Sequence, residues 1–177
     1  MAVLQTIRNF FVSAEPAETG EVVPAPPCEY SIRPLTREHI DEVLALNIRC
    51  FKNGENYTRS TFNFLLQESR TLSYRATGAE DEMVGFVFVM MNTDGVGHLT
   101  TIGVAPEHRR RRIAERLLIH LEGALKAKGI STIMLEVRVS NVSAQDLYSR
   151  TGYSIVQRLP KYYNNGEDGF LMMKSLL

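Results

Sequence analysis

Residues 97–118 read GHLTTIGVAPEHRRRRIAERLL. The stretch 97–104 is rich in β-branched residues and reads as a strand, which Pro106 breaks. Ile113, Leu117, Leu118, Leu121, Ala124 and Leu125 then recur on one face of a helix that runs from about Arg112 to Lys128 and stops at Gly129. A strand that turns within a few residues into a long helix is the unit of an α/β fold. The free N–H groups and the dipole at the helix start attract anions. Arg109, Arg110, Arg111 and Arg112 stand at that start, where cations oppose the dipole and are mildly destabilising unless an anion is bound. A bound diphosphate reverses that sign. A solvated basic patch or a nucleic-acid contact is the competing reading. Neither a Walker P-loop nor a dinucleotide Gly-x-Gly-x-x-Gly is present, which disfavours NTP and NAD chemistry.

Working outward, residues 83–91 (MVGFVFVMM) and 72–77 (LSYRAT) read as strands, and Asn92–Gly95 is a hairpin turn into the strand at 97–104. Residues 29–34 form a first strand ended by Pro34. Thr36 caps a helix that carries Ile40, Val43, Leu44, Leu46 and Ile48 to about Phe51, and Thr58 or Ser60 caps a second with Phe62, Leu65 and Leu66. Downstream, 131–138 is a strand, 141–150 a helix ended by Gly152, and 153–158 and 169–174 are the last strands. The order β-α-α-β-β-β-α-β-α-β-β predicts one α/β domain over 30–177, on a mixed sheet of about six to seven strands with helices on both faces. Residues 1–29 form an extension: Val3, Leu4, Ile7, Phe10 and Phe11 predict a short amphipathic helix over 2–12, and 13–27 a linker.

The 177 residues suffice for one core, and the formal net charge of zero argues against a general nucleic-acid binder. Cys28 and Cys50 are too few for a disulfide framework, so a reduced, cytoplasmic protein is expected. No apolar run approaches a membrane span, and no membrane association is expected.

Residues 135–153 read LEVRVSNVSAQDLYSRTGY, residues 162–172 YYNNGEDGFLM, and residues 55–57 Glu-Asn-Tyr. Together with Arg109–Ala114 these resemble the GNAT acetyltransferase superfamily, and within it the bacterial ribosomal-protein-alanine and archaeal N-terminal acetyltransferases. Arg109 and Ala114 fit the superfamily pattern Arg/Gln-x-x-Gly-x-Gly/Ala; Arg112 departs from it, standing where glycine is usual. The departure is harmless if the backbone there is helical, and costly if that residue must approach a pyrophosphate closely.

The resemblance implies an enzyme that transfers acetyl from acetyl-CoA to the α-amine of a protein or peptide N-terminus. Lysine side chains or small amines are the alternative acceptors, and a non-catalytic acetyl-CoA-binding module is an alternative of another class. It implies a splayed strand pair in which the backbone of Ile102, Gly103 and Val104 holds the pantetheine and acetyl carbonyl, with nothing special required of Gly103. The turn Arg109, Arg110, Arg111, Arg112, Ile113 and Ala114 holds the pyrophosphate. Asn141, also a plausible helix cap, and Tyr148 contact the cofactor as well.

An α-amine with a pKa near 8 is roughly a tenth neutral at pH 7, whereas a lysine is neutral about once in a few thousand, so a modest base suffices. By resemblance, Glu136 is that base and Tyr148 the acid that protonates the leaving thiolate. The structural alternatives are an ion pair of Glu136 with Arg138 or Arg33, and a core role for Tyr148. Strand alternation places His98, Thr100 and Ile102 on one face, and His98 and Glu136 on adjacent strands can hold a water between them as a relay. Two such ligands bind a metal weakly, so none is expected to be required. Glu55 and Tyr57 on one loop and Tyr162 and Tyr163 on the opposing one are expected to receive the peptide, with Phe51 and Tyr57 walling its first side chain. Glu167 and Asp168 either brace that hairpin or attract the amine.

Overall fold

The computed structural model describes residues 11–12, 22–51 and 56–177. In chain order its elements are β1 (Phe11–Val12), β2 (Ser31–Pro34), α1 (Ile40–Cys50), β3 (Asn56–Tyr57), α2 (Arg59–Gln67), β4 (Thr71–Thr77), β5 (Met83–Met91), β6 (Val96–Val104), α3 (Ile113–Ala127), β7 (Thr132–Arg138), α4 (Val142–Arg150), β8 (Ser154–Leu159) and β9 (Gly169–Ser175). Single 3₁₀ turns at Arg37–His39 and Pro106–His108 precede α1 and α3. Thr58 caps α2 by accepting the Thr61 N–H at 3.2 Å. The predicted helix over 2–12 ends differently: Phe11 and Val12 pair with Tyr57 and Asn56 as a two-residue strand, and the rest of that prediction lies outside the described residues. Of the predicted linker 13–27, residues 22–27 are described, and Ala25 is bound to the domain through its N–H to the Glu107 carbonyl at 3.0 Å.

Seven strands form one sheet in the order β2-β4-β5-β6-β7-β9-β8. Every neighbouring pair is antiparallel except β6 with β7. The central β5 is buried on both faces, which its unbroken apolar run requires. Leu117, Leu118, Leu121 and Leu125 of α3, with Tyr148 of α4, pack on Val87, Val89, Ile133 and Leu135 on one face. Val43 and Leu46 of α1, with Phe62 and Leu65 of α2, pack on Phe86 and Phe88 on the other. The charged Glu122 is buried in α3 because Lys174 of β9 donates to it at 2.6 Å and the Tyr153 hydroxyl at 3.2 Å.

Two irregularities in β6 matter for the site. First, β6 pairs with β7 only at Val96, Gly97 and His98; beyond His98↔Met134 the strands part, while β6 stays on β5 to Val104 and β7 stays on β9 to Arg138. The predicted splay therefore opens at residue 99. Second, Phe88 pairs with Thr101 and Val89 with Leu99, so Thr100 is an extra, bulged residue. The bulge overturns the expectation that His98, Thr100 and Ile102 share a face. His98 sits opposite Met90, toward α1 and α2, whereas Leu99, Ile102 and Val104 face α3 and α4.

Gly103, of which nothing special was expected, is sterically demanded. A Cβ there would stand 2.7 Å from the Phe86 ring and 3.0 Å from the Cys50 sulfur. Gly103→Ala is expected to destabilise the fold by about 1–3 kcal/mol in a urea titration. Gly123, exposed on α3 with no atom within 4 Å of a Cβ, is expected to gain about 0.4–1 kcal/mol as alanine in the same measurement.

Candidate active site

The gap between β6 and β7 is approached from both faces of the sheet. Ile133, Leu135 and Val137 of β7 belong to the α3 and α4 core, so Glu136 points to the opposite face, toward α1 and α2. His98 lies on that same face, and its Nε2–H donates to Glu136 Oε2 at 2.6 Å. The two side chains are 4% and 8% exposed. This contact replaces the predicted relay water: at 2.6 Å nothing fits between the two atoms. It leaves His98 Nδ1 and Glu136 Oε1 buried and without a hydrogen-bonding partner among the described residues, one nitrogen and one carboxylate oxygen for a substrate proton or water. Neither ion-pair alternative for Glu136 forms, since Arg33 pairs with Asp81 at 3.1 Å and Arg138 with Glu167 at 2.5 Å.

Tyr148 lies in the core on the other face of the sheet. It stands on α4, whose first turn Asn141 caps by accepting the Ala144 N–H at 3.1 Å. Its ring packs against Tyr153 with centroids 5.7 Å apart. Burial alone raises its pKa above that of an ordinary phenol, so the hydroxyl stays protonated and can donate. Burial also raises the pKa of Tyr163, against the lowering influence of Arg138, and the Tyr162, Glu136 and Tyr148 groups add to the rise. Tyr163 thus lies within electrostatic reach of both Glu136 and Tyr148.

Tyr57 and the Tyr162–Tyr163 hairpin converge on the Glu136 side. Tyr57 is buried and its hydroxyl donates to the Thr100 carbonyl at 3.0 Å, at the start of the splay. Burial raises its pKa most, followed by the nearby Glu136 and Tyr162. Tyr162 and Tyr163 meet edge to face at 5.1 Å. Phe51 packs, partly buried, against the core under α1 and α2. Glu55 lies outside the described residues.

Sequence reading missed the clasp that holds the hairpin. Arg138 stacks over the Tyr163 ring at 3.8 Å and donates to Asn165 at 3.1 Å and Glu167 at 2.5 Å. Glu167 also accepts the Ser140 N–H at 2.9 Å. Asp168 accepts from Arg158 and from the Lys161 N–H, both at 2.8 Å. Both acids therefore brace the hairpin. The clasp joins the strand of Glu136, the turn before α4 and the tyrosine hairpin. The spacing of Arg138 two residues beyond Glu136 hinted at a charge partner, but the partner is Glu167.

The arginine turn departs from expectation in its backbone. Arg112, the N-cap of α3, has φ 59° and ψ 17°, and Arg110 has φ 64°. Both are left-handed, not helical, so Arg112 occupies a conformation for which glycine is the natural residue, at a cost of order 1–3 kcal/mol. Two of the four predicted phosphate ligands are already engaged with protein carbonyls. Arg109 folds back onto Val104 C=O at 3.2 Å and Cys50 C=O at 3.4 Å. Arg111 donates to the carbonyls of Ala25 and Pro26 and to the Tyr30 hydroxyl. Arg110 and Arg112 are exposed. The first α3 bond runs from the Arg116 N–H to Arg112 C=O at 3.0 Å, so the N–H groups of Ile113, Ala114 and Glu115 precede the ladder. The turn can thus offer an anion these N–H groups and two free-standing arginines.

Residues 40–153 match the acetyltransferase (GNAT) family. The chain is 30% identical over 146 residues to the N-alpha-acetyltransferase daf-31 of Caenorhabditis elegans, covering 77% of this chain and 79% of that protein. It is 31% identical over 150 residues to the N-terminal acetyltransferase A complex catalytic subunit NAA10 of Arabidopsis thaliana, covering 80% of this chain and 77% of the relative. Among solved structures, the ribosomal-protein-S18-alanine N-acetyltransferase of Escherichia coli superposes with a TM-score of 0.76 at 26% identity, covering 84% of this chain and 94% of that one.

The clasp carries a pH signature. The hydrogen bonds from Ser140 and the Arg138 charge hold Glu167 down to a pKa of about 2, well below its ordinary 4.5. Its stabilisation is present above the ordinary value and is lost as pH falls through about 2. The difference in urea midpoint between the parent and Glu167→Gln is therefore expected to be largest near neutral pH and to vanish on acidification toward pH 2. A difference that stays constant down to that pH would remove the charged clasp.

Proposed function

The chain belongs to the acetyltransferase (GNAT) family, and we propose that it acetylates the α-amine of protein or peptide N-termini, with acetyl-CoA as donor. The observation that supports this reading is the parting of β6 and β7, with a carboxylate that keeps an unpartnered oxygen among the described residues on one face of the sheet and a protonated phenol buried in the core on the other. Amine and thioester can enter from opposite sides and meet where the strands part. Glu136 accepts the proton that the attacking amine gives up, directly or through a water at its open oxygen, and His98 orients the carboxylate. The amine nitrogen bonds to the thioester carbonyl carbon, the C–S bond breaks, and Tyr148 gives its proton to the departing sulfur. The backbone of Ile102, Gly103 and Val104, unpaired toward β7, binds the donor's pantetheine. The N–H groups of the arginine turn, with Arg110 and Arg112, bind its pyrophosphate.

Preference for an α-amine over a lysine is supported by two relatives named for N-terminal acetylation, each matched over more than three quarters of its length. It also fits the base, a carboxylate that need take a proton only from an amine already partly neutral. Tyr57, near both Glu136 and Tyr162, forms with Tyr162 the walls that receive the first residues of the peptide.

Peptides with a free α-amine are expected to gain one acetyl group, and the same peptides with a blocked α-amine and an internal lysine none, by mass spectrometry. Equal transfer to both would favour a lysine or small-amine acceptor. Tyr148→Phe is expected to lower kcat at least about 100-fold with little change in acetyl-CoA affinity. Because burial raises its pKa, parental kcat is expected to show no decline that Tyr148 ionisation would cause near pH 10. Glu136→Gln is expected to lose most activity at about pH 6.5 and least near pH 9, where the amine is already neutral. A loss independent of pH would remove Glu136 as the base.

A further inference from the structure

The arginine turn has a feature that phosphate binding does not use. Its two left-handed residues, Arg110 and Arg112, flank Arg111, and the Arg111 guanidinium is spent on the chain segment 25–30. That segment grips the turn from both ends. Before the turn, Ala25 N–H donates to Glu107 C=O at 3.0 Å, and the Tyr30 hydroxyl bonds His108 Nδ1 at 3.0 Å. After it, Arg111 donates to Pro26 C=O at 2.8 Å, to Ala25 C=O and to the Tyr30 hydroxyl at 2.7 Å, and Arg116 donates to Tyr30 C=O at 2.6 Å. The Tyr30 hydroxyl can accept from Arg111 while donating to His108, so one oxygen ties the two sides together. The upstream end is anchored further, since Arg49 of α1 donates to both Glu107 carboxylate oxygens at 2.6 Å.

We propose that Ala25–Tyr30 is a brace that holds the arginine turn in its left-handed form, and that Arg111 is a positioning residue acting through this brace, not a phosphate ligand. The proposal rests on the reading that the turn binds the pyrophosphate of acetyl-CoA. Glycine would adopt φ 59° at position 112 without steric cost; an arginine there needs the surrounding structure to over-determine the turn. The brace supplies that constraint from outside the segment 40–153 that matches the family. The extension and the arginine at the glycine position are in this view two halves of one arrangement. Its consequence is energetic coupling: losing the brace matters while residue 112 carries a side chain, and matters little once it is glycine.

The test is a double-mutant cycle read by calorimetric titration of the full-length chain with acetyl-CoA, with a thermal melt of each variant to confirm folding. Arg111→Met is expected to weaken binding about tenfold, and the same substitution made in an Arg112→Gly background less than about twofold. Tyr30→Phe, which leaves every arginine in place, is expected to show a smaller loss of the same kind, again erased by Arg112→Gly. A loss on Arg111→Met that persists undiminished in the glycine background would mean that Arg111 touches the phosphate, and would overturn the proposal. Tighter binding by Arg111→Met would show that the segment competes with the anion, and would also overturn it. If Arg111→Met and Tyr30→Phe both bind as the parent does, the brace has no role and the proposal falls alone. A folded parent that binds no acetyl-CoA would remove both the proposal and the functional reading beneath it.

Discussion

One missing set of hydrogen bonds organises the molecule. β6 and β7 run parallel and pair through His98↔Met134, then separate while each remains fixed to its outer neighbour. Backbone groups in the middle of a sheet are normally satisfied by the next strand, so a parted pair leaves donors and acceptors that must find other partners. Tyr57 takes one of them, the Thr100 carbonyl. The others lie between two cores, one under α1 and α2 and one under α3 and α4, so side chains from opposite faces of the sheet flank the parted strands.

The elements themselves were legible in the sequence because their periods are strong. The run 83–91 and the helical stripe Ile113–Leu125 correspond to β5 and α3 with ends shifted by at most a residue or two. The splay was also expected, though only through the family resemblance. What alternation could not show was the bulge: Thr100 has nothing in its composition to mark it as the residue that falls out of register, and the opposite facing of His98 and Ile102 depends on it. The demand for glycine at 103 was invisible for a related reason, since it arises from Phe86 and Cys50 on other elements.

The site residues divide the same way. Glu136 and Tyr148 are legible as candidates from a local motif; Glu136 lies against His98 on one face of the sheet, and Tyr148 is buried in the core on the other. Long-range contacts divide differently. Arg138, a candidate partner for Glu136, pairs with Glu167, and Arg111, a candidate phosphate ligand, bonds residues 25–30. In both cases an arginine had several acceptors within plausible reach, and a one-dimensional reading has no means of choosing among carbonyls and carboxylates that only the fold brings close. The charge count alone gave no hint, because zero net charge is compatible with any arrangement of 20 cations and 20 anions.

The unpaired residue at Thr100 sets the parity of β6. Upstream of it, even-numbered His98 looks toward α1; downstream, even-numbered Ile102 and Val104 look toward α3. The strand therefore carries two independent frames joined at one residue, the first turned toward the α1 and α2 core and the second toward the α3 and α4 core. Deleting a single residue at the joint would fuse the frames: one segment would have to turn its whole set of side chains through the sheet, exchanging buried apolar groups for polar ones. Changes confined to one side of Thr100 leave the other frame intact, so the packing against the two cores can vary separately along the same strand.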